Sequence, residues 1–220
     1  MAILGLLTRA LSIRVLLSQG LLLLGLLALA GCAGRLTPPE APVAPVPVYL
    51  LDHGHHASLV LPRREGGVVR YSYGEWRWYV EGERHALAGI SALLWPTASG
   101  LGRGEHAALS VEADLRRLAP EGVEVVYPLV AEEARVVALK RRLDAYFEVP
   151  GVTPVYSEEF DLSFVPYPRA YWLTHQSNLV TARWLRSLGV EVRGIPWLSN
   201  WRLEAPPHHG IYQNGMRDQR

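Results

Sequence analysis

Two stretches of this chain carry residues with the chemistry for acyl or proton transfer. One is the cluster His53–Gly54–His55–His56; the other is Ser177, inside YWLTHQSNLVTARWLRSLGVEV (Tyr171–Val192). The second stretch reads as a short extended entry, a helix start at Gln176–Ser177–Asn178 and an amphipathic helix closed by Gly189. Backbone N–H groups point outward from a first helical turn and the dipole is positive there, so Ser177 stands where an anion, an oxyanion or an activated nucleophile is favoured. The expectation is that the fold brings His56, from a strand far upstream, to Ser177.

Each of these residues also has a plainer use. Serine at a helix start caps the helix. His175, just before Ser177, is a rival base or a polar residue at a strand end. The histidines invite a zinc or copper reading. On a regular strand, however, residues 53 and 55 share one face and 56 takes the other, and no acid or cysteine completes a ligand sphere at a fixed spacing. The sequence therefore predicts no metal and no cofactor. Glu158, Glu159 and Asp161 read as a solvated acidic face, since no opposing acid is in view for glycoside cleavage.

The elements that must position these groups are legible in outline. Val48–Leu51 and Ala57–Pro62 are short apolar strands flanking the histidines, with a bend or bulge at Gly54. Arg63–Gly67 is a turn and Val68–Tyr73 the return strand. Tyr71–Tyr79 (YSYGEWRWY) brings Trp76, Trp78 and Tyr79 around Glu75 and Arg77, suited either to core or to the wall of a cleft. Ala86–Trp95 is a helix ended by Pro96. Ser99–Gly104 lacks the strand, lysine and Ser/Thr of a phosphate loop and reads as a flexible connection. His106–Val111 and Val123–Tyr127 read as strands, with a helical turn at Asp114–Leu118. Ala131–Phe147 is the clearest helix, its apolar residues recurring at three and four positions. Val155–Val165 is a further strand region and Val190–Val192 a last strand. Pro196–Arg220 is expected to wrap the surface or fray.

The N-terminus has the features of a targeting segment. Arg9 and Arg14 precede an apolar run, Gly20–Ala30, that stops at small residues. Leu29–Ala30–Gly31–Cys32 looks like a bacterial lipobox, in which Cys32 is lipidated; an uncleaved membrane anchor is the alternative. Residues 33–47, rich in proline and alanine, read as an extended tether. Cys32 is the only cysteine among 220 residues, so a mature domain would have no disulfide, no thiol nucleophile and no cysteine metal site. A net charge of +1 recruits no nucleic acid, and 49% apolar residues suit one globular domain.

The segments GHHASLVLP (Gly54–Pro62), YSYGEWRWY, ALLWPTASGLG (Ala92–Gly102) and HQSNLVTARWLRSLGV (His175–Val190) together resemble a bacterial lipoprotein family of unknown function, sometimes labelled urease-associated. There the first motif runs roughly Gly-Trp-His-Thr-x-Leu/Ile-Val and the last Asn-Cys-Asn-x-Trp-x-Ala-x-x-Leu-x-x-x-Gly. That family in turn is similar to the circularly permuted branch of NlpC-type, papain-like hydrolases. The resemblance implies an α+β fold, an antiparallel sheet packed with a few helices. It implies a signal peptide over 1–31, a lipidated Cys32 and tether over 32–47, the papain-like domain over 48–195 and an extension over 196–220. It puts His56 at the general-base position, Ser177 at the nucleophile position and Glu75 as the group orienting the imidazole, with Trp76, Trp78, Asn178 and His55 contacting substrate. Partners would be the membrane, through the lipid, and a cell-wall or lipid substrate; the location would be the periplasmic face of the outer membrane. Ser177 replaces the family cysteine. A hydroxyl has no readily reached anion and needs concerted proton removal, whereas a thiol ionises near neutrality. Two outcomes follow: a serine hydrolase or acyltransferase, or a catalytically inactive binding lipoprotein using the same cleft.

Overall fold

The computed structural model describes residues 19–20, 33–106 and 112–204. Cys32, almost all of the leader and the tail bearing His208 and His209 lie outside the described residues, so the lipidation reading does too. Among the described residues no helix is long and apolar enough to cross a membrane.

The fold is mixed α+β, built on antiparallel strands with few helices. Among the described residues the strands are β1 (Gly34–Thr37), β2 (Pro45–Asp52), β3 (Ala57–Pro62), β4 (Val68–Glu75), β5 (Thr97–His106), β6 (Val125–Glu132), β7 (Val155–Ser157), β8 (Leu162–Tyr171), β9 (Glu191–Arg193) and β10 (Trp201–Leu203). The helices are α1 (Ala86–Leu94), α2 (Glu112–Arg117), α3 (Glu133–Asp144) and α4 (Ser177–Ser187), and a π-helical turn spans Arg77–Glu81. Seven strands form one antiparallel sheet in the order β6-β2-β3-β4-β5-β8-β7.

Alternation along the strands sends side chains to two covered faces. Leu50 of β2, Leu59 and Leu61 of β3, and Val69, Tyr71 and Tyr73 of β4 meet the apolar stripes of α3 (Val136, Leu139, Leu143) and α4 (Val180, Trp184, Leu185). The intervening residues go the other way. Leu51 and Val60 pack under Leu115 and Leu118, while Tyr79, Phe160, Leu162 and Phe164 form a separate aromatic cluster under Trp76 and Trp78. Because both faces are covered, a polar residue on either is committed to internal partners.

The structure departs from the sequence reading in four places. The expected tether is partly folded: β1 pairs antiparallel with β9 and parallel with β10, burying Leu36, and Pro45–Pro47 open β2. The domain thus reaches beyond 48–195 at both ends, and residues 201–203 do not fray. Ser99–Gly104 is not a flexible connection but central to β5, paired on both sides. Its glycines are required because neighbouring side chains occupy the space above them: a Cβ at Gly102 would collide with the Phe164 ring. Val155–Val165 divides into β7 and β8 around a turn, and α3 is shorter than 131–147 because β6 continues to Glu132.

Pro166 and Pro168 also have a positional reason. β7 covers β8 only as far as Phe164, so the outer edge of the rest of β8 is unpaired by β7. Prolines there remove donors from an otherwise exposed edge.

Gly102→Ala drives a methyl into the Phe164 ring and should destabilise the domain by about 1–3 kcal/mol, read as a lowered urea midpoint with unchanged slope.

Candidate functional site

The histidine cluster sits where β2 turns into β3. Gly54 has φ 86, a left-handed conformation that glycine adopts without strain, and its N–H donates to Asp52 Oδ1 at 2.9 Å. The His53 N–H donates to the His56 carbonyl at 2.9 Å, closing the turn. This break in the strand period overturns the expected pairing of 53 with 55. His53 and His56 lie on the same side, rings stacked at 4.5 Å, and His55 is exposed. The Tyr79 ring meets His56 edge-on at 5.7 Å.

Below them is a buried ion pair. Arg70 lies between Val69 and Tyr71, whose side chains face the helices, so alternation sends Arg70 to the opposite face, where it is fully buried. Its Nη1 donates to Glu121 Oε1 at 2.9 Å, and its Nη2 donates to the Phe160 carbonyl. Glu121 comes from the loop between α2 and β6. His56 Nε2 and His53 Nε2 lie 3.8 and 4.0 Å from the same carboxylate oxygen. Burial raises the Glu121 carboxyl, but His56, Arg70 and His53 together outweigh it, leaving it below the ordinary range.

The His53 tautomer follows from its neighbours. Nδ1 lies 2.5 Å from the Gly122 carbonyl, which can only accept, so the proton is on Nδ1. Nε2 then carries a lone pair and accepts from the Ser58 hydroxyl at 2.8 Å. Burial, reinforced by His56, lowers the His53 pKa to about 3, so it is neutral across the physiological range. His56 Nε2 and Glu121 Oε2 are buried and have no hydrogen-bond partner among the described residues. Neither Glu121 nor Arg70 was singled out by the sequence reading.

Ser177 opens α4 as expected but is not its cap. Gln176 is the N-cap, its Oε1 accepting from the Asn178 N–H at 2.7 Å. The same oxygen accepts from Ser177 Oγ at 3.4 Å. Ser177 is only 5% exposed. The backbone meeting with the histidine segment does occur: Asn178 Nδ2 donates to the His55 carbonyl at 3.0 Å and Thr181 Oγ1 to the Ala57 carbonyl at 3.3 Å. The side chains do not follow it. No hydrogen bond joins Ser177 to His56; the imidazole turns to the Arg70 side of the sheet, while α4 packs on the other.

The remaining residues separate in the same way. Glu75 does not orient His56. Its Oε2 accepts from the Trp78 N–H at 2.7 Å and its Oε1 from Arg77 Nε at 3.1 Å, so it holds the start of the π-helical turn. Asn178 is fully buried and serves as the tie to His55. Trp78 packs with Val80 over the aromatic cluster. Trp76 alone of the expected contact residues lines a groove of about 570 Å³, with Thr97, Ala98, Ser99, Pro166, Tyr167, Pro168 and Ala170. The Thr97 hydroxyl is buried and makes no hydrogen bond among the described residues. His175, the rival base, is buried with Nδ1 2.7 Å from the Tyr73 hydroxyl. Burial, helped by Arg169 and Arg183, lowers its pKa to about 4.

That shift has a sign in the stability of the fold. An unfolded histidine takes up a proton near pH 6.5, whereas His175 stays neutral down to about pH 4. Between these values the unfolded chain binds the extra proton, so the contribution is complete above the unfolded pKa and lost as pH falls toward the folded one. His175→Gln should flatten the decline of the urea midpoint between pH 6.5 and pH 4, by up to the slope of one proton.

Comparison with known protein families, curated proteins and solved structures found no match to this chain.

Proposed function

We propose that this chain is an envelope lipoprotein, anchored through Cys32 at the periplasmic face of the outer membrane, whose domain follows the permuted papain-like plan and binds rather than cleaves. The ligand class is a hydroxylated ring component of the cell wall, taken up in the groove beside Trp76. The observation that carries this reading is the groove itself, about 570 Å³, which Trp76 lines beside Pro166, Tyr167 and Pro168. In it, Trp76 and Tyr167 supply flat apolar faces and Pro166 and Pro168 a rigid floor. Aromatic faces with a few fixed polar groups suit a sugar ring, which has an apolar face and an equatorial rim of hydroxyls.

Catalysis at Ser177 has the weaker support. A serine nucleophile needs its base within about 2.6–3.2 Å. Ser177 Oγ instead bonds to Gln176, His56 faces Glu121, and Glu75 is committed to Arg77 and the Trp78 N–H. Loss of the family cysteine fits the same picture, since a thiolate's chemistry is not recovered by a buried hydroxyl without a base.

Two measurements on the full-length protein test the reading. A fluorophosphonate probe should label wild type and Ser177→Ala equally weakly; Ser177-dependent labelling would restore the hydrolase reading. Wild type should co-sediment with purified peptidoglycan sacculi, and Trp76→Ala should weaken that binding by about 10-fold, as loss of one stacking anchor does. Binding that ignores Trp76 would remove the groove from consideration.

A further inference from the structure

The buried cluster at the β2–β3 turn has a composition the proposed groove does not use. One ring nitrogen of His53, one of His56 and a Glu121 carboxylate oxygen all lie within 4.8 Å of one another. We propose that His53, His56 and Glu121 form a binding site for a divalent transition ion of the zinc class. The inference is independent of the groove and of any activity at Ser177.

Three observations carry it. First, the His53 ring is oriented. The Gly122 carbonyl fixes the His53 proton on Nδ1, so Nε2 faces inward unprotonated. A backbone carbonyl on the remote ring nitrogen is the usual way a metal-binding imidazole is oriented. Second, His56 Nε2 and Glu121 Oε2 are buried and make no hydrogen bond among the described residues. Buried polar atoms left without a hydrogen bond are costly unless a bound group satisfies them. Third, the spacing is close to that of an occupied site. The two nitrogens lie 3.8 and 4.0 Å from Glu121 Oε1. Ligands about 2.0–2.2 Å from a tetrahedral ion stand roughly 3.3–3.6 Å apart, so each nitrogen needs to approach the carboxylate by only a few tenths of an ångström.

The charge balance selects the ion. Arg70 Nη1 donates to Glu121 Oε1 at 2.9 Å, and the carboxylate keeps lone pairs on both oxygens for the ion. The guanidinium also cancels the carboxylate charge, so the site has no net negative charge with which to attract calcium or magnesium, ions that demand several anionic oxygens. Two neutral imidazoles and one carboxylate instead suit zinc, copper or nickel. The Ser58 hydroxyl, now 2.8 Å from His53 Nε2, is the donor that the ion displaces. The His56 side chain is 18% exposed against 1% for His53, so the ion enters past His56 and a water completes its coordination on that side.

Cobalt(II) reports on such a site directly. Full-length protein in detergent, freed of metal and titrated with Co²⁺, should develop the d–d absorption of a four- or five-coordinate ion, saturating at one equivalent. Zn²⁺ should abolish the bands, and excess Mg²⁺ or Ca²⁺ should leave them. His56→Ala changes the most exposed ligand and should weaken Co²⁺ binding by about 100-fold or more with the far-UV circular dichroism retained. His56→Gln gives the same reading if the alanine variant misfolds. A double variant of the tail, His208→Ala with His209→Ala, should bind as wild type. Absence of the bands in wild type, bands unchanged in both His56 variants, or bands lost in the tail variant would each overturn the site.

Discussion

A single buried charge organises one side of this domain. Arg70 stands in a central strand whose neighbours are Val69 and Tyr71, so the strand period commits it to the interior of the second face. An unpaired guanidinium there would be severely destabilising. Glu121 balances its charge and the Phe160 carbonyl accepts a second bond from it, and they come from two separate loops. The loop carrying Glu121 also supplies the Gly122 carbonyl that fixes His53, and Phe160 packs on Tyr79, which meets His56. Both histidines therefore owe their surroundings to the partners that Arg70 demands.

The opposite face obeys a different logic. There α3 and α4 pack apolar stripes on the sheet, and the polar contacts at the start of α4 are local. Gln176 caps the helix and holds Ser177, and Asn178 and Thr181 clamp the helix to the β2–β3 connection through carbonyls. The serine and the histidine thus belong to neighbouring segments but to separate polar systems. A sulfur in place of the Ser177 hydroxyl would be larger and ionise more readily; the hydroxyl is accommodated instead as part of the helix start.

The sequence disclosed the elements whose signal is local. The α3 and α4 stripes, the glycine after α4, the break at Gly54 and the hairpin of β3 and β4 all follow from spacing and from residues that tolerate few conformations. Elements that depend on remote partners were hidden. Gly100, Gly102 and Gly104 read as flexible because glycine frees the chain, yet in β5 they are needed to admit Trp76, Phe164 and Leu162. Residues 34–37 read as tether because nothing nearby indicates a pairing partner; the partners, β9 and β10, lie at the far end of the chain. The candidate site was legible only in half. The histidines stand out by type, but their relative direction depended on the left-handed Gly54, and Glu121 gave no signal within an ordinary Pro-Glu-Gly turn. The one available clue was Arg70, a charge placed in a strand with apolar neighbours on both sides.

The dependence of this face on the Arg70–Glu121 pair is tested most directly by a double-mutant cycle. Unfolding of wild type, Arg70→Met, Glu121→Met and the double variant in urea gives the coupling free energy. If the buried pair holds the face together, each single change costs about 3–5 kcal/mol by leaving a buried charge uncompensated, and the double variant recovers much of that loss. Two small, additive effects would show that the charges are solvated and that the histidine cluster is held by something else.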